Sequence, residues 1–201
     1  ALQINVVTQI RLPRFVLAVL VGLVLAQTGA ATQALCRNPL ADPSIIGISA
    51  GAAMVAVAFI AFSAQFNFNA QYYLPYAAFL GALLVTSLVY LIAKQHRQVN
   101  ITTLILVGVA INSLSFALIG LLSYFADDSA LRLINYWTMG SLGGANWDAI
   151  TQATPLLLLS ILGLWRLKEP MNLLLIGESQ AQYLGVNTDK LKLYVIILVA
   201  L

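Results

Sequence analysis

The sequence predicts an all-α protein that crosses a membrane several times. Of its 201 residues, 61% are hydrophobic and only 8% are Asp, Glu, Lys or Arg, against roughly a quarter in an average soluble domain. A folded chain of this size still exposes about 30% of the surface of its unfolded form. So much apolar surface therefore needs a bilayer as its solvent, and a water-soluble globular protein is excluded.

Long stretches without a charged residue locate the membrane helices. They are residues 15–36, 43–93, 98–126 and 149–165. A helix that crosses the hydrocarbon core needs about 20 mostly apolar residues. A transmembrane barrel would instead show alternating strands of about ten residues, and these stretches do not alternate. They predict a polytopic transmembrane helical bundle.

We expect one membrane domain over residues 1–201. The predicted spans lie near residues 15–35, 45–64, 72–93, 101–123 and 149–165, with a sixth over 191–201 that is cut off. The polar segment Gln65–Gln71 divides the second stretch, which is too long for a single span. Because the chain starts at Ala1 without a Met and stops inside an apolar run, we expect it to be incomplete at both ends.

The Lys and Arg residues predict which side faces the cytoplasm. Seven of the ten fall in alternate loops, namely Arg37, Lys94, Arg97, Arg166, Lys168, Lys190 and Lys192. Because short cytoplasmic loops carry an excess of Lys and Arg, this side is predicted to be cytoplasmic. Arg11, Arg14 and Arg132 fall on the outer side. The connection Tyr124–Asp148 also lies there, and its apolar run at 131–139 predicts a partial helix.

The first predicted span carries small residues at helical spacing. They are Gly22, Ala26, Ala30 and Ala34. Such a stripe lets helix backbones approach closely, so we expect this span to lie inside the bundle. The following prolines predict that it ends near Arg37. Asp42 can cap the next helix, with Pro43 at its first position.

The segment Gly47–Gly51 matches the G-x-S-x-G pattern of serine hydrolases. That pattern requires a strand-to-helix turn and a His base, whereas here it opens a membrane helix and His96 is the only histidine. An intramembrane hydrolase acting through Ser49 is therefore the weakest alternative. Close helix packing is the expected role of these small residues.

The predicted cytoplasmic loop Arg166–Lys192 is expected to contain a short helix. Glu178 suits its first turn and Gly185 suits its C-terminal cap, which gives roughly 10 Å of helix. A helix resting on lipid headgroups would favour a Lys- and Arg-rich polar face. Ser179, Gln180 and Gln182 do not supply one, so we expect the segment to dock onto another protein.

Five motifs follow one another along the chain. They are Arg11–Arg14 (RLPR), Gln33 with Arg37–Pro43 (RNPLADP), Gly47–Ala52 (GISAGA), Tyr136–Leu142 (YWTMGSL), and Gly177–Glu178 with Leu184–Gly185–Val186. Together they resemble the permease subunit of type II ABC importers, which take up iron-siderophore, haem and cobalamin complexes. The resemblance covers nearly the whole chain and implies a fragment of a permease with about ten spans.

The resemblance also implies partners and a location. The permease would pair with a second permease subunit, as a homodimer, within the lipid of a bacterial cytoplasmic membrane. Two cytoplasmic ATPase subunits and a periplasmic or lipid-anchored substrate-binding protein would complete the importer. The permease itself would be no enzyme and would hold no cofactor or metal, because the chelated iron travels inside its chelator. No nucleic acid is expected.

Functional residues follow from the same resemblance. The coupling region 170–187 would contact the ATPase through Glu178, Ser179, Gln180, Ala181, Leu184 and Gly185. Arg11 and Arg14 would meet acidic residues of the binding protein. The substrate path along the dimer axis would be lined by Gly108, Asn112 and Ser115, which lie on one face of the fourth span and offer space and weak polar contacts.

One other class of transporter remains as an alternative. Ion-coupled secondary transporters usually place ionisable groups near the bilayer midplane, and the five complete predicted spans here hold no Asp, Glu, Lys, Arg or His. The single Cys36 excludes an intramolecular disulfide framework and a cysteine metal cluster, and the single His96 excludes a histidine-rich site. The sequence does not distinguish haem, siderophores and cobalamin.

Overall fold

The computed structural model describes residues 2–66, 70–95 and 98–201. Within these ranges the chain is almost entirely helical. Four helices there are long and apolar enough to cross a membrane: Gln3–Cys36, Tyr73–Ala93, Ile101–Phe125 and Trp147–Arg166. The predicted all-α polytopic bundle is confirmed. His96, Arg97 and the centre of the predicted loop Gln65–Gln71 lie outside the described residues.

The packing of the described chain defines two compact units. The first contains the residues up to Pro39 together with Gly140–Val199, and the second contains Leu40–Met139. The predicted coupling region and the two outer arginines belong to the first unit. The predicted path residues of the fourth span belong to the second.

The first unit begins with one long helix. Helix α1 (Leu2–Val6) continues through a single π-helical turn (Val7–Arg11) into α2 (Leu12–Cys36). Pro13 has no N–H to donate to the preceding turn, and the widened turn lies directly before it. The helix ends at Arg37, which adopts a left-handed conformation with φ of 49°. The predicted end near Arg37 is therefore confirmed.

The buried face of α2 differs from the one expected. Thr28, Ala31, Thr32 and Leu35 are buried, whereas Gly22, Ala26 and Ala30 of the small-residue stripe are exposed in this chain. Both sets recur once per helical turn, so spacing alone does not indicate which face meets a neighbour. The Thr28 and Thr32 hydroxyls donate to carbonyls one turn earlier, which removes the cost of burying them.

Four further helices complete the first unit. They are α7 (Trp147–Arg166), α8 (Lys168–Ile176), α9 (Glu178–Tyr183) and α10 (Thr188–Ala200). Helix α2 packs against α7 and α8. Gln27 Nε2 donates to the Ile161 carbonyl at 2.8 Å, and Ser160 Oγ donates to the Leu198 carbonyl at 2.6 Å. These polar side chains therefore hold helices together.

The second unit begins with a short 3-10 helix, Pro43–Ile46. The Asp42 carboxylate accepts the Ser44 N–H at 2.8 Å. The predicted cap is confirmed, although it caps this short helix and the membrane helix starts after it. The helices that follow are α3 (Ile48–Phe66), α4 (Ala70–Ala93), α5 (Ile101–Phe125) and α6 (Asp128–Met139). Strand β1 (Lys94–Gln95) pairs antiparallel with β2 (Gln98–Val99) between α4 and α5.

Helices α3, α4 and α5 pack against one another. Two glycines allow α3 and α4 to touch, since a Cβ atom on Gly51 would lie 2.8 Å from the Gly81 carbonyl oxygen. The close-packing role expected for the Gly47–Gly51 segment is therefore confirmed at Gly51. Helix α6 adds Ile134 to a buried cluster on α3 and α4, and Trp137 packs against the same cluster.

Candidate functional site

The predicted coupling region contains most of α8, all of α9 and the turn into α10. Gly177 separates α8 from α9 with φ of 146°, a conformation open mainly to glycine. At the other end the Gly185 N–H donates to the Gln182 carbonyl at 2.9 Å and the Val186 N–H donates to the Ala181 carbonyl at 3.0 Å. Gly185 has φ of 88°, so the predicted glycine cap of this helix is confirmed.

Helix α9 has an exposed face and a buried face. Ser179, Gln180, Gln182, Tyr183 and Leu184 are exposed, and Tyr183 is 91% exposed. Ala181 is 0% exposed, so its methyl group packs inside the unit and cannot meet a partner. Tyr183 was not among the residues predicted from the sequence. The sequence feature that could have identified it is an aromatic residue in an otherwise polar helix, because tyrosine is enriched at protein interfaces.

The Glu178 carboxylate points back into the protein. It accepts a hydrogen bond from Lys192 Nζ and forms an ion pair with it. Lys192 lies in the second turn of α10 and is only 2% exposed. Its position in the sequence predicts a cytoplasmic loop charge, but the structure places Lys192 in a helix and buries it. Because 14 residues separate the two side chains, no helical spacing could have paired them.

A second contact joins the same two helices. Gln182 Nε2 donates to Thr188 Oγ1 at 2.8 Å, and Thr188 is buried at the first position of α10. Asn187 caps α10 by accepting the Lys190 N–H at 3.0 Å. Side chains of α9 therefore contact α10 at both ends of the short helix.

Arg11 and Arg14 lie within the first helix and are exposed. The Arg14 Nη2 donates a long hydrogen bond of 3.4 Å to the Gly143 carbonyl. Nearby, the Trp147 indole donates to the Thr8 carbonyl at 3.0 Å. These contacts hold the start of α7, and Gly143 in the segment before it, against the N-terminal part of the first helix, which carries both arginines.

The three predicted path residues have different environments. Gly108 is buried against the backbone of Ile45, whose carbonyl oxygen would overlap a Cβ atom added at Gly108. Ser115 is buried. Asn112 Nδ2 donates to the Ser44 carbonyl at 2.9 Å, while its buried Oδ1 has no hydrogen-bond partner in this part of the structure. Gly108 and Asn112 therefore lie where α5 meets the 3-10 helix Pro43–Ile46.

Asn112 also lines a cavity of about 670 Å³ in the second unit. The other walls include Ser44, Ser49, Phe116, Trp137 and Thr138. Gly108 and Ser115 do not line it. The wall combines amide and hydroxyl groups with two aromatic rings and carries no charge, which suits weak contact with a large ligand and not tight binding of an ion.

The geometry of Ser49 differs from that of a hydrolase nucleophile. A 3-10 helix precedes it, and Ser49 lies in the first turn of α3. A nucleophile elbow places its serine between a strand and a helix, so this elbow does not form around Ser49. Among the described residues, no three His, Cys, Asp or Glu side chains come together as a metal site would require.

Comparisons with known proteins indicate one family. The model of the FecCD transport family matches residues 1–201. The hemin transport system permease protein HmuU of Yersinia pestis is 41% identical over 194 residues, which cover 96% of this chain and 58% of that protein. The cobalamin import system permease protein BtuC of Halobacterium salinarum is 41% identical over 187 residues, or 93% of this chain and 49% of that protein. The chain thus spans about half the length of these curated relatives.

A solved structure has the same fold. A metal-chelate type ABC transporter in an inward-facing conformation superimposes with a TM-score of 0.90 at 34% sequence identity. The alignment covers 99% of this chain and 62% of that chain. The helix order described above is therefore that of a solved ABC transporter chain.

Proposed function

The chain belongs to the FecCD transport family, and on that basis we propose that it forms the membrane-spanning permease of an ATP-driven importer. Its substrate is an iron chelate, either haem or a siderophore complex, or cobalamin. The names of the two relatives, a hemin and a cobalamin permease, support this substrate class. The protein lies in the cytoplasmic membrane of a bacterium and carries out transport without chemical catalysis.

The observation that carries the proposal is the shape of α9. It is a six-residue helix that exposes Ser179, Gln180, Tyr183 and Leu184 on one side and is anchored on the other. A short anchored helix transmits a displacement, whereas a flexible loop would absorb it. We therefore assign the coupling region 170–187 as the contact for a cytoplasmic ATPase subunit, with Glu178 and Ala181 anchoring the helix that presents this surface.

The complete importer contains two permease subunits, two ATPase subunits and a substrate-binding protein. Closure of the ATPase pair on ATP displaces α9, and the displacement tilts the membrane helices. The substrate moves along the axis of a permease homodimer. The cavity beside Asn112 belongs to this path, and Gly108 and Ser115 contribute by seating α5 against its neighbours.

Copurification tests the ATPase assignment. The full-length protein is expressed together with its ATPase subunit, and a variant carries a Gly/Ser linker of equal length in place of Glu178–Gly185. We expect the native protein to retain the ATPase and the variant to lose it, with both eluting as folded monodisperse membrane proteins. An ATPase that stays bound and coupled to transport in the linker variant would refute the assignment.

Growth assays test the substrate class. A deletion strain is grown with haem, a hydroxamate siderophore or a catecholate siderophore as its only iron source, and separately under dependence on cobalamin. We expect growth to fail on one of these and to recover with the native gene. Uptake that survives ATP depletion but stops with an uncoupler would indicate an ion-coupled transporter instead.

A further inference from the structure

A buried charge joins α9 to α10. Lys192 is 2% exposed, and its Nζ donates to Glu178 at the first position of α9. A buried ammonium group is costly unless a counter-charge lies in hydrogen-bond contact with it. The Glu178 side chain is 31% exposed and supplies that charge, so the ion pair attaches α9 to α10.

The attachment has two points. Glu178 and Gln182 are four residues apart and share one face of α9, while Thr188 and Lys192 are four residues apart and share one face of α10. Glu178 pairs with Lys192 and Gln182 pairs with Thr188, so the two faces run in opposite directions. We name these four residues the α9–α10 clamp. A single contact would allow α9 to pivot about it, whereas a second contact about 6 Å away along each helix prevents that pivot.

We propose that Lys192 is a positioning residue that locks α9 to α10 through this clamp, so that the two helices move as one rigid body. The displacement of α9 then passes directly into α10, the helix predicted to enter the membrane. This inference rests on the proposed function, in which α9 contacts the ATPase. It adds that the coupling step depends on a lysine that the partner never touches.

Substitutions at Lys192 and at Lys190, both on α10, distinguish the effect of the clamp from the general effect of removing a lysine. Lys192→Met removes the charge but keeps the length of the side chain, and Lys192→Arg keeps the charge. The matched control is Lys190→Met, because Lys190 lies two residues earlier on α10 and is exposed. Glu178→Gln and the double variant Glu178→Gln/Lys192→Met complete the set.

Hydrogen exchange in the full-length permease tests the lock without any substrate or ATPase. The amides to follow are those of Ala181 and Leu184, which donate within α9 to the Gly177 and Gln180 carbonyls. We expect Lys192→Met to accelerate their exchange at least tenfold, with Lys192→Arg and Lys190→Met within about twofold of the native protein. The double variant should exchange no faster than Lys192→Met, because partners in one contact are not additive.

Transport by the complete importer in liposomes tests the consequence, with hemin as the probe. We expect Lys192→Met to lower the hemin transported per ATP hydrolysed at least fivefold while ATPase binding changes by less than about threefold. A purely structural lysine would lower thermal stability and leave this ratio unchanged. Unchanged α9 exchange, or an unchanged ratio in Lys192→Met, overturns the inference. Failure of the native permease to bind the ATPase would instead overturn the proposed function.

Discussion

Individual residues of the second unit fix how closely its helices approach. Gly108 lies against the Ile45 carbonyl oxygen, so the distance between α5 and the 3-10 helix depends on the absence of a side chain. Asn112 then donates to the Ser44 carbonyl one residue earlier. Steric fit and one hydrogen bond therefore position the amide that lines the cavity.

Replacement of Gly108 by alanine should destabilise the second unit. The added methyl group meets backbone rather than a movable side chain, and such overpacking costs about 1–3 kcal/mol. Gly120 on the same helix is the control, since an added Cβ there meets nothing within 4 Å. Thermal unfolding in detergent should show a lower midpoint for Gly108→Ala and an equal or higher midpoint for Gly120→Ala. Equal midpoints for the two variants would contradict the packing role of Gly108.

Asp127 should hold the start of α6 over a wide pH range. Its carboxylate accepts the Ala130 N–H at 2.7 Å and the Ser129 hydroxyl at 2.8 Å. These two bonds, the backbone one foremost, lower the pKa of Asp127. Because the pKa of Asp127 is lower in the folded protein, the stability that this cap gives the start of α6 is fully present above the unfolded pKa of about 3.9. That stability is lost as the pH falls through the folded pKa.

Hydrogen exchange of the first turn of α6 checks this cap. After correction for intrinsic rates, protection should stay constant from about pH 8 to pH 5 and fall only in more acidic solution. Asp127→Ala should exchange about fivefold faster at neutral pH, while Asp127→Asn, which can still accept the N–H, should stay near the native rate. A decline in protection between pH 7 and pH 5 would show that another group controls this turn.

At the scale of an element, α9 differs from the spanning helices in what stabilises it. With only six residues, it is too short to be stable alone. Its buried Ala181, the glycine turns at both ends and the α9–α10 clamp compensate. The side chains left free to meet a partner are those on its exposed face, and Tyr183 is the largest of them.

Tyr183→Ala should weaken binding of the ATPase subunit about tenfold or more. Tyrosines at the centre of an interface often carry a large share of the binding energy, and this side chain has little contact within its own unit. Tyr124→Ala is the control, because Tyr124 is 81% exposed and lies at the predicted outer end of α5. Titration of the purified ATPase against each permease in nanodiscs measures the change. Equal affinities for the two variants would move the contact away from α9.

The placement of charge is informative for the molecule as a whole. Seven of the ten Lys and Arg residues fall on the predicted cytoplasmic side. On the predicted outer side, Arg11 and Arg14 are exposed on one helix. The five complete predicted spans carry no Asp, Glu, Lys or Arg.

Reversal of both outer arginines to glutamate should weaken docking of the substrate-binding protein. At low salt we expect an affinity loss of about tenfold, which shrinks toward twofold at high salt because exposed charges are screened. Arg132→Glu, which reverses a single charge on the same predicted side, serves as the control for a general effect of charge. Surface plasmon resonance on the reconstituted permease measures the affinities. An affinity loss that persists at high salt, or that Arg132→Glu reproduces, would contradict the assignment.

The sequence by itself determined the helical membrane fold and the ends of several helices. Hydropathy over about 20 residues reflects the thickness of the bilayer, and the ends at Arg37, Asp42 and Gly185 depend on residues adjacent in the chain. Local chemistry of this kind needs no knowledge of the tertiary structure. The order of the motifs along the chain also depends on the sequence alone, and it indicates the family.

Only the tertiary structure decided which side chains of these helices face a neighbour. Spacing did not show that α2 buries its threonine face, that Ala181 is inaccessible or that Gly108 lies under Ile45. Lys192 is the clearest case, because in sequence it is one more basic residue near the cytoplasm. Its burial against Glu178 depends on how α9 folds back onto α10, and the packing of two helices is set by contacts between residues far apart in the chain.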